Sequence, residues 1–231
     1  MMKLSLLVAM AVVGLGSLSY ANATTLNYDH KYKDVEQSNK DELEITHQFK
    51  FGLKAALKLA FVPHEKSNGD AGSAFKDDRW DETEVGLSYP FDVTKHFSLE
   101  PGTKLDRARD EYKYKPFLTL GYSFDSGTSL SGRYRYEITD YTTDKDTKKT
   151  HRIDLGVSQK FGKFKVGYTF VYFDSNATLF DNKEQDYENK LKFSYKIMKS
   201  FTPYIVFEDV SVSKHTDKRQ TEYKVGFTYK F

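Results

Sequence analysis

The last ten residues of the chain alternate strictly between apolar and polar side chains. The apolar members are Tyr223, Val225, Phe227, Tyr229 and Phe231, and the polar members are Glu222, Lys224, Gly226, Thr228 and Lys230. A period of two residues is that of a β-strand with one apolar face. The other face carries full charges, which is too polar for the core of a soluble barrel. The segment is therefore typical of a strand between lipid and a polar interior.

The same alternation recurs from Thr24 onward with no helical pattern between the repeats. It predicts about twelve strands, in line with the even strand numbers and tilted spans of bacterial outer-membrane barrels. We therefore expect an all-β fold, an up-and-down antiparallel transmembrane β-barrel. In the segment Thr202–Val212 we assign Ile205 and Phe207 to the outer face. The phase there is ambiguous, because Tyr204 and Val206 are apolar as well.

The N-terminal residues predict export. Met1 to Lys3 is a short positive start, Leu4 to Leu15 is an apolar run, and Ala21 to Ala23 is a small-x-small cleavage site. The run is well short of the ~20 residues that a spanning helix needs. We therefore divide the chain into a signal peptide, residues 1–23, and an outer-membrane β-barrel, residues 24–231.

Bulk composition excludes several alternatives. The mean hydropathy of −0.65 resembles that of a soluble protein, but a barrel that is apolar only at alternate positions gives the same value. The chain has no cysteine, which excludes disulfides, thiolate metal sites and a cysteine nucleophile. A net charge of +2 gives no reason to expect nucleic acid as a partner.

The connections alternate in length, as short periplasmic turns and longer outer loops require. Gly52, Ser126–Gly127, Gly162 and Met198–Ser200 lie in the predicted short turns. The predicted outer loops are Asp34 to Lys40, His64 to Arg79, Asp140 to Lys149, Asp174 to Asp186 and Ser213 to Arg219.

The predicted inner face is rich in fixed positive charge. The bases that we expect to line the pore and bind substrate are Lys50, Lys54, Lys58, Lys113, Lys115, Arg133, Arg135, Arg152, Lys190, Lys192, Lys196, Lys224 and Lys230. In a ring of twelve, the middle group on strands six to eight lies opposite the strands from the twelfth to the third. Inward carboxylates interrupt both basic walls: Glu44, Glu84, Glu100, Glu137, Asp154, Glu188 and Glu222.

Rows of lysine and arginine in a narrow lumen select anions, because the low-dielectric wall focuses their field into the pore. A chain of sugars with a carboxylate on each unit can pass from one base to the next without being held too tightly. We expect Arg133, Arg135 and Arg152 to contribute most, since they share neighbouring strands and cannot lose their charge. The alternative is that most of these bases only form salt bridges within the wall.

Signs of an enzyme are weak. The six histidines, at positions 30, 47, 64, 96, 151 and 215, have no close ligand spacing, so no metal site and no cofactor are indicated. A catalytic site could still assemble across strands from Ser129, His151 and an acid, because such triads are defined by geometry.

Three segments carry a resemblance to a known family: Leu26 to Tyr32, Thr202 to Glu208, and Gly226 to Phe231. Together with the barrel pattern they resemble the oligogalacturonate-specific porin family, small monomeric outer-membrane channels that include a sialic-acid channel. The resemblance implies a twelve-stranded barrel with opposed basic ladders that passes acidic oligosaccharides. Lysine stands at many lumen positions where the family tends to have arginine, so fragments of alginate or sialic acid remain alternatives to oligogalacturonate.

The leading hypothesis is therefore a channel, not an enzyme, for passive, anion-preferring diffusion of acidic oligosaccharides. The alternatives are a hydrolase or acyltransferase with its site at the barrel rim, and a closed structural or adhesive barrel. The partners that we expect are the oligosaccharide, outer-membrane lipid and, through the terminal aromatic Phe231, the barrel assembly machinery. We expect a monomer.

Overall fold

The computed structural model describes residues 23–65 and 71–231, so the predicted signal peptide lies outside the described residues except for Ala23. The described chain consists of antiparallel strands. Their bounds are β1 Ala23–Lys33, β2 Asn39–Gln48, β3 Lys54–Pro63, β4 Asp78–Ser88, β5 Phe91–Asp92, β6 Phe97–Arg107, β7 Glu111–Ser123, β8 Thr128–Tyr141, β9 Lys148–Phe161, β10 Phe164–Ser175, β11 Gln185–Tyr195, β12 Phe201–Ser211 and β13 Arg219–Lys230. Among the described residues, no helix is long and apolar enough to cross a membrane.

Twelve of these strands close into a ring. Each pairs with its neighbours in the chain, β1 also pairs with β13, and β4 pairs with β6 across the two-residue strand β5. Beyond the last pair of β1 and β13, the Phe231 backbone N–H donates to the Thr24 carbonyl at 3.0 Å. Closure satisfies the backbone groups between strands and leaves no open edge, as a barrel in lipid requires. The predicted twelve-stranded barrel is confirmed.

Most of the outer face is apolar and open to the surroundings, although Leu26, Leu43 and Asp41, of the outward phase on β1 and β2, are buried. Leu105, Leu155 and Val225 keep 55%, 53% and 59% of their surface, values expected of side chains that lipid covers in the membrane. In β12, Ile205 and Phe207 are exposed whereas Tyr204 and Val206 are buried. The phase assigned to this strand from the sequence is therefore confirmed.

The two ends of the barrel carry different sets of connections between strands. One end, the short-turn end, carries residues 49–53, 89–96, 124–127, 162–163 and 196–200, and both the start of β1 and the end of β13. Gly52 and Gly127 adopt φ of 99° and 84° in these turns, a conformation that glycine adopts without strain. The opposite end carries the longer connections 34–38, 64–77, 142–147, 176–184 and 212–218. The five predicted outer loops lie at this end and the predicted turns at the other, but the alternation in length is incomplete, because this end also carries the turn 108–110 and the short-turn end carries the longer connection 89–96.

Candidate functional site

The lumen is the candidate site, and eleven of the thirteen predicted basic residues lie on its strands. Lys50 and Lys196 do not. β2 ends at Gln48 and β11 at Tyr195, so both lysines lie exposed in turns at the short-turn end, and their prediction as residues of the strand wall is wrong. The alternation of apolar and polar residues continues through Phe51 and through Ile197, beyond the ends of β2 and β11, so the sequence pattern overestimates the length of both strands.

The middle basic group is bound to carboxylates. Asp154 accepts from Arg133 Nε at 2.6 Å and from Arg152 Nε at 2.8 Å. Arg135 donates to Glu137 at 3.2 Å. These pairs offset much of the charge of the three arginines, so this wall presents less free positive charge than its sequence indicates.

Lys115 and Lys113 of the same wall also have acidic partners. Lys115 forms ion pairs with Asp106 and Glu84, and Glu84 in turn binds Lys104 at 2.5 Å. Lys113 lies 2.5 Å from Glu111. Glu84, Asp106 and Lys115 are buried. A charge buried this deeply is tolerated only when it is paired and hydrogen-bonded.

Bases from β11 round the ring to β3 show the same pairing. Glu208 accepts from Lys190 at 2.9 Å and lies 2.6 Å from Lys224. On the adjoining strands, Lys58 binds Glu82 at 2.8 Å. Nearer the short-turn end, Lys54 binds Glu100 at 3.2 Å. Ion pairs thus connect neighbouring strands on both sides of the ring.

Several inward bases escaped the sequence analysis, among them Lys31, Lys104 and Lys165. Lys31 lies 2.7 Å from Glu42, and Lys165 lines the larger cavity described below. The signal was present, because each of the three falls between outward-facing residues of its strand and so has inward phase. Aromatic side chains share the inner face. Phe117 lines the smaller cavity, and the ring of Tyr204 lies 3.5 Å from Lys192 Nζ.

Two cavities open in the half of the lumen near the short turns. The larger, which we call the basic cavity, has a volume of about 680 Å³ and is lined mainly by β8 to β13. The smaller, of about 320 Å³, is lined by β2, β3, β4, β6, β7 and β8 across the ring. All residues that line either cavity belong to strands.

The long connections bind one another at the opposite end. The Asp181 and Asn182 backbone N–H groups donate to the carbonyls of Thr216 and Lys214 at 3.2 and 3.0 Å. The Glu36 side chain accepts from Gln220 at 3.1 Å. Burial alone would raise the pKa of Glu36, but hydrogen bonds from Lys33 and Gln220 lower it. These contacts hold the connections 34–38, 176–184 and 212–218 to the barrel end.

The residues proposed for a rim hydrolase do not meet. His151 points to the outer face, where its Nδ1 lies 2.7 Å from the Tyr134 hydroxyl. Ser129 lines the basic cavity inside. Among the described residues, no hydrogen bond joins a serine hydroxyl to a histidine ring. The barrel wall separates the two side chains, so they cannot act on one substrate.

Comparison with known proteins identifies the family. The sequence profile described as "Oligogalacturonate-specific porin protein (KdgM)" matches residues 17–231. The chain is 32% identical over 244 aligned residues, with full coverage of both chains, to the oligogalacturonate-specific porin KdgM of Dickeya dadantii. This chain belongs to the oligogalacturonate-specific porin family. It is also 28% identical, over 91% of its length and 92% of the relative's, to the uncharacterized protein YiiY of Salmonella typhimurium.

Solved structures agree on the fold. The NanC porin aligns with a TM-score of 0.73 and 17% identity, over 89% of this chain and 100% of that one. The KdgM porin in complex with disordered oligogalacturonate aligns with a TM-score of 0.68 and 24% identity, over 90% and 99%. Because the chain belongs to this family, the protein is an outer-membrane porin, a channel rather than an enzyme. By the rule for such barrels, its short-turn end faces the periplasm.

Proposed function

We propose that the porin passes acidic oligosaccharides, oligogalacturonate or related uronate and sialic acid fragments, by passive, anion-preferring diffusion. The observation that carries this proposal is the placement of bases on both sides of the ring: Arg133 and Arg152 lie on β8 and β9, and Lys224 and Lys58 lie on β13 and β3 across from them. Such walls lower the entry barrier for carboxylates. The relative in Dickeya dadantii is named for oligogalacturonate, which supports the same substrate class here.

The chemistry of the lining favours passage over tight capture. Lysine is a hydrated point charge, whereas the arginine fork grips a carboxylate at two points. Lysine contacts at several positions along a wall bind a polyanion weakly at each and let it leave. We therefore propose a broader range of uronates than a lining of arginine would accept.

Two partner assignments complete the proposal. The Phe231 ring is 48% exposed beside Tyr229 at the periplasmic end, where it is accessible to the machinery that assembles barrels into the membrane. The apolar outer face, with residues such as Leu105 and Val225, contacts outer-membrane lipid. We propose a monomer, consistent with a closed ring formed by one chain.

The test is conductance and selectivity in planar bilayers. A KCl gradient across the membrane should give a reversal potential of the sign that chloride dictates, and trigalacturonate should reduce the current more than neutral maltotriose does. Cation preference, or an equal response to the two trisaccharides, would contradict the proposal.

One observation favours a second candidate, a closed structural barrel. Inward residues such as Lys115, Arg135 and Glu208 are buried at 8%, 7% and 5% exposure, so paired side chains occupy part of the lumen. A closed barrel would give no ionic current and no swelling of liposomes in small sugars. Liposomes that swell in arabinose would exclude this candidate.

A further inference from the structure

Three lysines that line the basic cavity lack a carboxylate partner in the described part of the chain, unlike the other predicted lining bases on the strands. Lys165, Lys192 and Lys230 are exposed, and no carboxylate among the described residues lies within 4.0 Å of their ammonium groups. Lys165 is the second residue of β10 and Lys230 the last of β13, while Lys192 lies three residues before the end of β11. All three are therefore near the periplasmic end.

The charges around the basic cavity leave a surplus. Its lining contains five lysines, the three above with Lys190 and Lys224, and two carboxylates, Asp29 and Glu208. Its formal surplus is thus three positive charges.

The smaller cavity is close to balance. Its lining contains Lys54, Lys104 and Arg133 with Glu44 and Glu100. Each of these bases already has an acidic partner, Lys54 with Glu100, Lys104 with Glu84 and Arg133 with Asp154. Of the charge that lines these two cavities, the unpaired part therefore lies on one side of the ring, near the periplasm.

A base that is already paired attracts an incoming anion less, because the approaching carboxylate also meets the partner's negative charge. A lysine with no carboxylate in contact meets weaker competition of this kind. Lys192 is in addition held over the Tyr204 ring, with its Nζ 3.5 Å from the centroid, a cation–π contact that restricts the ammonium group without neutralising it.

We infer that Lys165, Lys192 and Lys230 form an exit-side anion site that binds the carboxylates of a uronate oligomer and carries most of the channel's anion preference. The inference rests on the proposed function and specifies where in the lumen the anion binds. It also implies a direction: an oligomer from outside passes the paired bases first and reaches its strongest contact before release to the periplasm. Because each lysine is exposed and hydrated, the contact is weak enough for release.

The test compares two triple variants with equal change of charge. K165Q/K192Q/K230Q removes the site, and K50Q/K163Q/K199Q removes three exposed lysines from turns at the same end of the barrel. Reversal potential in a KCl gradient and block of the current by trigalacturonate, added from each side in turn, are measured for both and for the unmodified porin.

The site variant should lose most of its anion preference, and its half-blocking concentration of trigalacturonate should rise by about fivefold for each lysine removed, as expected for a unit-charge contact at ~4 Å in water. The turn variant should keep both properties. In the unmodified porin, block from the periplasmic side should depend less on voltage than block from outside, because the site lies near that mouth.

The outcomes separate the inference from the proposed function. If the unmodified porin prefers anions and the site variant keeps that preference, the inference is overturned and the paired bases carry the selectivity. If the turn variant loses as much as the site variant, surface charge at the mouth is responsible and the inference again fails. If the unmodified porin shows no anion preference, the proposed function itself is refuted.

Discussion

Replacement of Asp154 by asparagine should increase the anion preference of the channel. Asp154 is the shared partner of Arg133 and Arg152, with contacts of 2.6 and 2.8 Å. In D154N these two arginines lose their common counter-charge, and Glu137 remains as the carboxylate bound to Arg135. The wall gains one unit of positive charge without any new base.

The same change should lower the stability of the barrel. A hydrogen bond to a charged group contributes about 1.5–3 kcal/mol, and asparagine still offers one acceptor oxygen. Arg133 is 32% exposed, so water screens part of the loss. We therefore expect a destabilisation of about 1–3 kcal/mol, visible as a lower temperature for the heat-induced shift of the folded barrel on gels.

The control is D125N. Asp125 lies in a short turn, and its contact with Lys95 at 3.1 Å joins two side chains that are 76% and 77% exposed. This substitution makes the same chemical change outside the lumen and should alter neither selectivity nor stability. The reversal potential is measured in a gradient around 0.1 M KCl, where the Debye length is ~10 Å, and again near 1 M, where it is ~3 Å.

The expected result is a larger anion preference for D154N at low salt and a smaller difference at high salt. An unchanged reversal potential, with the porin folded and conducting, would mean that Arg133 and Arg152 do not act on permeating ions. A shift toward cations would refute the assignment of these residues to the lumen.

Two further predictions concern assembly and packing. Deletion of Phe231 should reduce the amount of heat-modifiable barrel in the outer membrane but leave single-channel conductance unchanged, and a normal level of barrel would refute the role of this ring. Gly226→Ala should destabilise the barrel by about 1–3 kcal/mol, because an added Cβ would lie 2.7 Å from Asp29 Oδ1 and 2.9 Å from Tyr204 Cε2. Gly132→Ala, whose nearest contact would be Leu155 Cδ2 at 3.9 Å, should be tolerated, and equal effects of the two would contradict the packing argument.

The fold could be predicted from the sequence because its main signal is local. A period of two with one apolar face marks each strand without reference to its partners, and glycines at 52, 127 and 162 mark the turns. The same signal correctly assigned Ile205 and Phe207 of β12 to the outer face. It failed at Lys50 and Lys196, where polar turn residues extend the alternation beyond the paired strand.

The ion pairing of the lumen could not be predicted in the same way, because it depends on register between strands. Phase assigns Arg133, Arg135 and Arg152 to the inner face, but the alignment of β8 with β9 decides that Asp154 lies opposite Arg133 and that Arg135 lies opposite Arg152. No local pattern contains that alignment. For the same reason, the sequence could not show that Lys165, Lys192 and Lys230 lack a carboxylate partner among the described residues.

Register also explains why a channel with basic walls has almost no net charge. Bases lie directly opposite bases at Arg135 and Arg152 and at Lys104 and Lys115, an arrangement that destabilises a pair of strands.

In each case a carboxylate on a neighbouring position binds one or both members of the base pair: Glu84 contacts Lys104 and Lys115, and Asp154 contacts Arg152. The acidic residues thus allow bases to lie side by side in a folded wall, and the net charge of +2 reflects that structural need. If selectivity depends on the few bases that register leaves without a partner, as we infer above, net charge and the count of lumen lysines are both poor guides to it.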